Sequence, residues 1–210
     1  MSAKYEWRKQ EKAIYLPKNK PEIINVPAMN FITLAGEGNP NSEQFTQHIA
    51  TLYAVAYAIK MTLKKAENTP ANYQDFTVYP LEGIWDINEQ AKQQFNGTIS
   101  KDDLVYQLMI RQPHFVSEQY FQQMREQVVE KKANPLLKQV KFETITDGKS
   151  IQMLHLGKFE DEPLSFEQME AFADAEELVR LSKTHREIYL SAPRKVAPEK
   201  PKTVLRFSVE

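Results

Sequence analysis

The sequence predicts an α+β fold made of a duplicated strand-helix-strand-strand unit, the two copies related by a pseudo-twofold axis around a central ligand groove. Three observations lead there. Residues 30–111 and 149–209 run through the same order of strand, helix, strand and strand patterns. A stretch opening at Ser42 carries Phe45, Ile49, Leu52, Ala56, Ile59 and Leu63 at spacings of three and four, one continuous helical stripe. The chain closes with two strand patterns joined by a connection containing Pro193, Pro198 and Pro201, which cannot lie inside a central strand. Residues 1–24 read as an N-terminal extension. Residues 25–209 read as one domain whose two repeats are joined by a helical segment at 117–133.

Taken in order, residues 4–16 suit a short surface helix ended by Pro17, its basic side chains interrupted by Glu6 and Glu11 and therefore solvated. Strand one is expected over Asn30–Gly36. Gly36-Glu37-Gly38 is a turn and not a phosphate cradle, because Glu37 would repel phosphate and no Gly-Lys-Ser/Thr follows. The long helix then ends near Lys65, with Tyr53 and Tyr57 beside its stripe. A second strand runs from Phe76 to Trp85, disturbed at Pro80 and Gly83, a combination that bends a strand and re-aims side chains such as Glu82 and Trp85. Residues 87–102 form a loop or a short helix. Leu104–Arg111 is the third strand, with Tyr106 and Leu108 on one face.

Ser117 marks the next helix start, with Tyr120, Phe121, Met124 and Val128 as its buried stripe. Residues 142–157 read as a hairpin about Asp147-Gly148, and Ser165–Gln168 as a capping box opening a helix through Phe166, Met169 and Ala173. In the closing hairpin, strand alternation sets His185, Glu187 and Tyr189 on one face and Arg186, Ile188 and Leu190 on the other. Its connection is long, stiff and basic.

Composition narrows the function. The 210 residues are 41% hydrophobic and 10% aromatic, enough for a substantial core. Lys and Arg total 27 against 28 for Asp and Glu, so a net charge of −1 supplies no field for direct nucleic-acid binding or an anionic membrane. The lack of cysteine excludes a disulfide frame, a thiol nucleophile and a thiolate metal site, and points to the cytoplasm. The first residues lack the apolar core of a signal peptide, and no run approaches the ~20 apolar residues of a membrane span.

His48, His114, His155 and His185 lie on separate elements without metal-ligand spacing, and no Gly-x-Ser-x-Gly elbow is present. Tyr79, Trp85, Tyr106 and Tyr189, with Glu82 and Glu187 on the same strands, suggest instead a flat cavity lined by rings. Tyr53 could border it. A glutamate there has three possible uses. It can stay ionised as counter-ion to a cationic aromatic ligand. Burial can raise its pKa so that it acts as general base on a water, with a tyrosine hydroxyl at an oxygen that gains charge. Or Glu187 simply pairs with Arg206 or Arg186.

The run His185-Arg-Glu-Ile-Tyr-Leu-Ser191, with Pro193-Arg194 and Ala197-Pro-Glu-Lys-Pro-Lys-Thr-Val-Leu-Arg206, resembles the C-terminal signature of GyrI-like small-molecule-binding proteins. Pro80-Leu-Glu-Gly-Ile-Trp85, Met109-Ile-Arg-Gln-Pro113, and Leu154-His-Leu-Gly157 with Asp161-Glu-Pro163 resemble that family's other blocks. The resemblance implies the duplicated SHS2-type fold and a hydrophobic, often cationic ligand, bound by a sensor domain or a free-standing protein.

Among the free-standing forms the chain is similar to the cyclopropanoid cyclopropyl hydrolases, which open the ring of spirocyclopropane DNA-alkylating natural products of the yatakemycin type. That likeness implies detoxification, with Glu187 in the place of the family's pocket glutamate, Tyr189 in that of the aromatic two residues later and Trp85 in that of the other aromatic wall. The chemistry then calls for Glu187 as base on water, Tyr189 or else Tyr106 as donor to the carbonyl oxygen that gains charge, and no cofactor. In that mechanism Trp85 and Tyr79 sandwich the flat ligand, with Glu82 as a second acid or a structural group. The sequence departs from the pattern at Asp86, where a second Trp is frequent, and at Phe159, where Tyr is frequent. His114 and Ala192 likewise stand where Asp is usual.

Overall fold

The computed structural model describes residues 4–95, 97–191 and 201–210. In chain order the elements are α1 (Trp7–Gln10), α2 (Lys12–Tyr15), β1 (Glu22–Val26), β2 (Met29–Glu37), α3 (Glu43–Lys65), β3 (Leu81–Ile87) and α4 (Glu89–Gln93). There follow β4 (Leu104–Gln112), α5 (Glu118–Lys131), β5 (Lys141–Ile145), β6 (Gly148–Leu156), α6 (Glu162–Ala175), β7 (His185–Tyr189) and β8 (Lys202–Ser208). They are antiparallel strands with helices, an α+β fold. The chain divides into two compact units interleaved along the sequence. One comprises residues up to Glu6, Met29–Tyr79 and Ile87–Ile145, and the other Trp7–Ala28, Pro80–Asp86 and Thr146–Glu210.

In the first unit β2 is flanked by β4 and β5, both antiparallel, with Leu34 opposite Leu108 and Ile32 opposite Phe142. The expected long helix forms as α3. Ser42 caps it, its Oγ accepting from the Phe45 amide at 3.2 Å, worth about 1 kcal/mol. Leu52, Val55, Ile59 and Leu63 bury completely along one side, with Ile32, Leu34, Leu108, Ile110 and Phe121 in the same unit's core. His48, not the half-buried Ile49, occupies the buried position of the first turns. The strand expected over Phe76–Trp85 begins only at Leu81. Phe76 makes an isolated bridge to Tyr5, and Pro80, lacking an amide hydrogen, cannot extend β3 backwards.

In the second unit the strands lie in the order β1, β6, β8, β7, β3, all pairs antiparallel. The closing hairpin forms as expected, Arg186 opposite Arg206 and Glu187 opposite Leu205. Its connection lies outside the described residues apart from its ends. Three expectations are corrected. Asp147-Gly148 is not the turn of a hairpin, for β5 pairs with β2 while β6 pairs with β1 and β8. The Asp147 carboxylate is instead bound by Arg186 and Arg206, at 2.6 and 3.1 Å. Nor is Ser165 a cap. Helix α6 starts at Glu162 with Pro163 in its first turn, where a missing amide hydrogen costs nothing, and Ser165 lies inside it, bonded to His155. Lastly, residues 4–16 form no solvated surface helix but two short turns that bury Trp7 and Tyr15.

The two faces of this second sheet differ. One carries Ile151, Met153, Leu205 and Phe207, against which Met169 and Ala173 of α6 pack. The other carries buried polar groups, Glu82, Gln152, Arg186 and Arg206. Arg186 donates to Glu82 at 2.9 Å, and Arg206 donates to Gln152 Oε1 at 2.8 Å and to the Ile14 carbonyl at 2.9 Å. Among the described residues no helix is long and apolar enough to cross a membrane.

Candidate functional site

Strand alternation sends Glu187 to the α6 side of β7, between His185 and Tyr189, while Arg186 points to the polar face. Across from Glu187 on β3 stands Gly83, so the cross-strand neighbour contributes no side chain. Next along that strand, Trp85 pairs with His185 and donates its indole N–H to the Tyr189 hydroxyl at 2.7 Å. Tyr189 hydrogen-bonds in turn to Glu187. His185 Nε2 lies 3.1 Å from Glu187 Oε1, and its ring meets Phe166 edge-on at 4.7 Å between centroids. Phe159 packs edge-on against Tyr189 at 6.1 Å and is 43% exposed, an apolar ring at the rim of the cluster.

A fourth group completes the cluster. Glu162, the first residue of α6, is 7% exposed and hydrogen-bonds Glu187. Burial, the neighbouring charge of Glu187, that hydrogen bond and the charge of Glu160 together push its carboxyl up to about 10, so Glu162 is neutral at pH 7. Burial, then the charge of Glu187, holds the Tyr189 phenol well above its usual range. The arrangement has one acidic proton between two carboxyls and a phenol fixed to one of them, which suits proton transfer to or from a bound molecule. The start of α6 is itself fixed by His155, whose Nδ1 meets Ser165 Oγ at 2.9 Å and whose Nε2 meets the Lys158 carbonyl at 2.9 Å.

Of the residues expected from sequence, Glu187, Tyr189 and Trp85 are brought together. Glu82 belongs to the same unit but lies on the opposite face of the sheet, 2% exposed, bonded to Arg186 and reached by the Tyr15 hydroxyl at 3.5 Å. Ion pairing with arginine, considered for Glu187, is thus found at Glu82. Tyr106, Tyr79 and Tyr53 belong to the first unit. The Tyr106 hydroxyl is 3.2 Å from Nδ1 of His48, whose pKa burial lowers. Tyr79 lies under the Arg111 guanidinium at 4.7 Å, and Tyr53 packs beside Tyr57. Glu162 was not anticipated. The available signal was Asp161-Glu162-Pro163, since proline in a first turn marks a helix start as well as a capping box does.

An antiparallel α+β scaffold that sets buried carboxyls beside indole and phenol rings has the chemistry to hold a small aromatic molecule. Residues 19–210 match the GyrI-like small molecule binding domain, and the chain belongs to that family. It is similar to two crystal structures of a hydrolase from Listeria innocua, at 37% and 38% identity and TM-scores of 0.86 and 0.87, with 99% of this chain and 100% of each of those covered. The C-terminal domain of EcmrR shares the fold at a TM-score of 0.54 and 9% identity, over 91% of this chain and 97% of that one. No curated protein matches the sequence.

Proposed function

We propose that the protein is a cofactor-independent hydrolase that adds water across the cyclopropane ring of spirocyclopropane alkylating agents of the yatakemycin type. The observation that carries this reading is the Glu187 carboxylate, buried, anchored by Tyr189 and His185, and facing a glycine across the sheet. Similarity to the Listeria innocua hydrolases supports the general class, and the sequence resemblance supports the substrate.

Glu187 takes a proton from water as its oxygen attacks the ring methylene. A C–O bond forms and the strained C–C bond breaks. The released electron pair moves through the conjugated ring to its carbonyl oxygen, which becomes a phenoxide and takes up a proton. One water is added and an alkylating agent becomes an inert alcohol. Tyr189, held by Trp85, orients the base. Once Glu187 is protonated it holds the Tyr189 hydrogen less strongly, freeing that hydrogen for the oxygen that gains charge. Trp85 and Phe159 supply ring surface for a flat substrate.

The test is chromatography with mass detection of a spirocyclopropane alkylator incubated with the protein. Many turnovers per protein to a product heavier by one water, abolished in Glu187→Gln, are expected. Parental turnover in that variant refutes Glu187 as base. Stoichiometric protection of the alkylator without hydrated product would instead mark a sequestering protein.

A further inference from the structure

Glu162 is nine-tenths buried and hydrogen-bonds Glu187. Its Oε1 is buried and finds no hydrogen-bond donor among the described residues. A buried acceptor without a donor costs about 1–3 kcal/mol, so its retention calls for an explanation. Oε1 belongs to the carboxyl that meets Glu187, which puts it beside the position from which Glu187 would draw a proton.

We propose that Glu162 is a second catalytic residue of the hydrolysis described above: it holds the attacking water through Oε1, accepting the hydrogen that Glu187 does not remove. The inference rests on the hydrolase reading and deepens it. Two carboxyls in contact cannot both ionise readily, so the pair keeps one proton and one negative charge. Tyr189 and His185 both face Glu187. The proton resides on Glu162, whose surroundings are Glu187, Glu160 and Tyr189, with Ser165 one turn along the helix. A water between the two carboxyls then has a fixed orientation, one hydrogen towards each, with its lone pair free for the ring carbon. The hydrogen on the Glu162 side stays on oxygen and becomes that of the product alcohol, so the proton balance given above is unchanged.

Two substitutions separate this role from a structural one. Glu162→Gln keeps a neutral group that donates to Glu187 and an oxygen that accepts, but it has no proton to lose. It should keep turnover within about tenfold and lack the alkaline loss of activity expected of the parental protein as pH rises towards 10. Glu162→Leu removes the acceptor and should lower kcat by about 10²-fold or more with little change in KM. An unchanged kcat in Glu162→Leu, or a parental alkaline limb in Glu162→Gln, overturns the role of Glu162 and leaves the hydrolase reading standing. Absence of hydrated product with the parental protein overturns both.

Discussion

Replacing Arg186 by methionine tests the polar face of the second sheet. The guanidinium is 5% exposed and holds two carboxylates, Glu82 at 2.9 Å and Asp147 at 2.6 Å, while Arg206 also reaches Asp147 at 3.1 Å. Two acids and two arginines balance in formal charge, although at Glu82 burial outweighs both guanidiniums and raises the carboxyl's pKa. Burial opposes the charge of Arg186, but Glu82 and Asp147 outweigh it and raise its pKa further. Asp147 is likewise disfavoured by burial yet held below the usual carboxylate range by the two arginines. Methionine fills most of the volume and leaves three charges, one without a partner. Stranding a buried charge in this way costs about 3–5 kcal/mol. For a chain of this size each kcal/mol is worth roughly 2–4 °C of melting temperature, so Tm should fall by about 6–20 °C. Adding Glu82→Gln removes the stranded acid and leaves the Asp147–Arg206 pair intact. The double variant should therefore be more stable than Arg186→Met alone, with the recovery read as a coupling energy from urea unfolding. A loss below about 1 kcal/mol in the single variant, or a double variant less stable than the single, would refute the charge-balance argument.

Two further outcomes follow from geometry already described. Folding raises the carboxyl of Glu162 from 4.5 to about 10, so between those values the folded chain holds a proton that the unfolded chain releases. The stability this group contributes is full below its unfolded pKa and declines as pH rises towards its folded one. Urea midpoints measured at about pH 5, 7 and 9 should fall less steeply in Glu162→Gln than in the parental protein, and equal slopes would contradict the assignment. In the first unit, a Cβ added at Gly36 would stand 2.6 Å from the Tyr106 ring and hydroxyl. Gly36→Ala should displace that ring from His48 and cost about 1–3 kcal/mol, measurable by thermal unfolding and by the His48 imidazole resonance.

What could be read from the sequence was periodic or local. The stripe from Phe45 to Leu63 and its Ser42 cap produce α3 because spacing and a capping hydroxyl act within a few residues. Alternation from His185 to Tyr189 separates Glu187 from Arg186 for the same reason. Failures came where a local signal met a distant partner. Asp147-Gly148 carries turn chemistry, but two arginines from β7 and β8 bind its carboxylate, and β6 takes its neighbours from β1 and β8. Ser165 carries the capping signature, yet its hydroxyl is used by His155. That shift of the helix start by one turn hid Glu162. Glu82 and Glu187 look alike in sequence, each on a strand with an aromatic close behind. Only the folded sheet separates them: Glu82 lies on the polar face, bonded to Arg186, and Glu187 on the face towards α6, where Glu162 stands.

The packing of Trp7 and Tyr15 bears on how the molecule can be dissected. The family match begins at residue 19, a natural place to cut when the domain is excised or fused to another protein. Yet the Ala13 carbonyl accepts from Gln152, the Ile14 carbonyl accepts from Arg206, and the Tyr15 hydroxyl reaches Glu82. An excised domain starting at the family boundary would expose that polar face to solvent and give up three of its hydrogen bonds. The minimal portable piece of this protein therefore starts before Trp7, with the segment that seals its sheet.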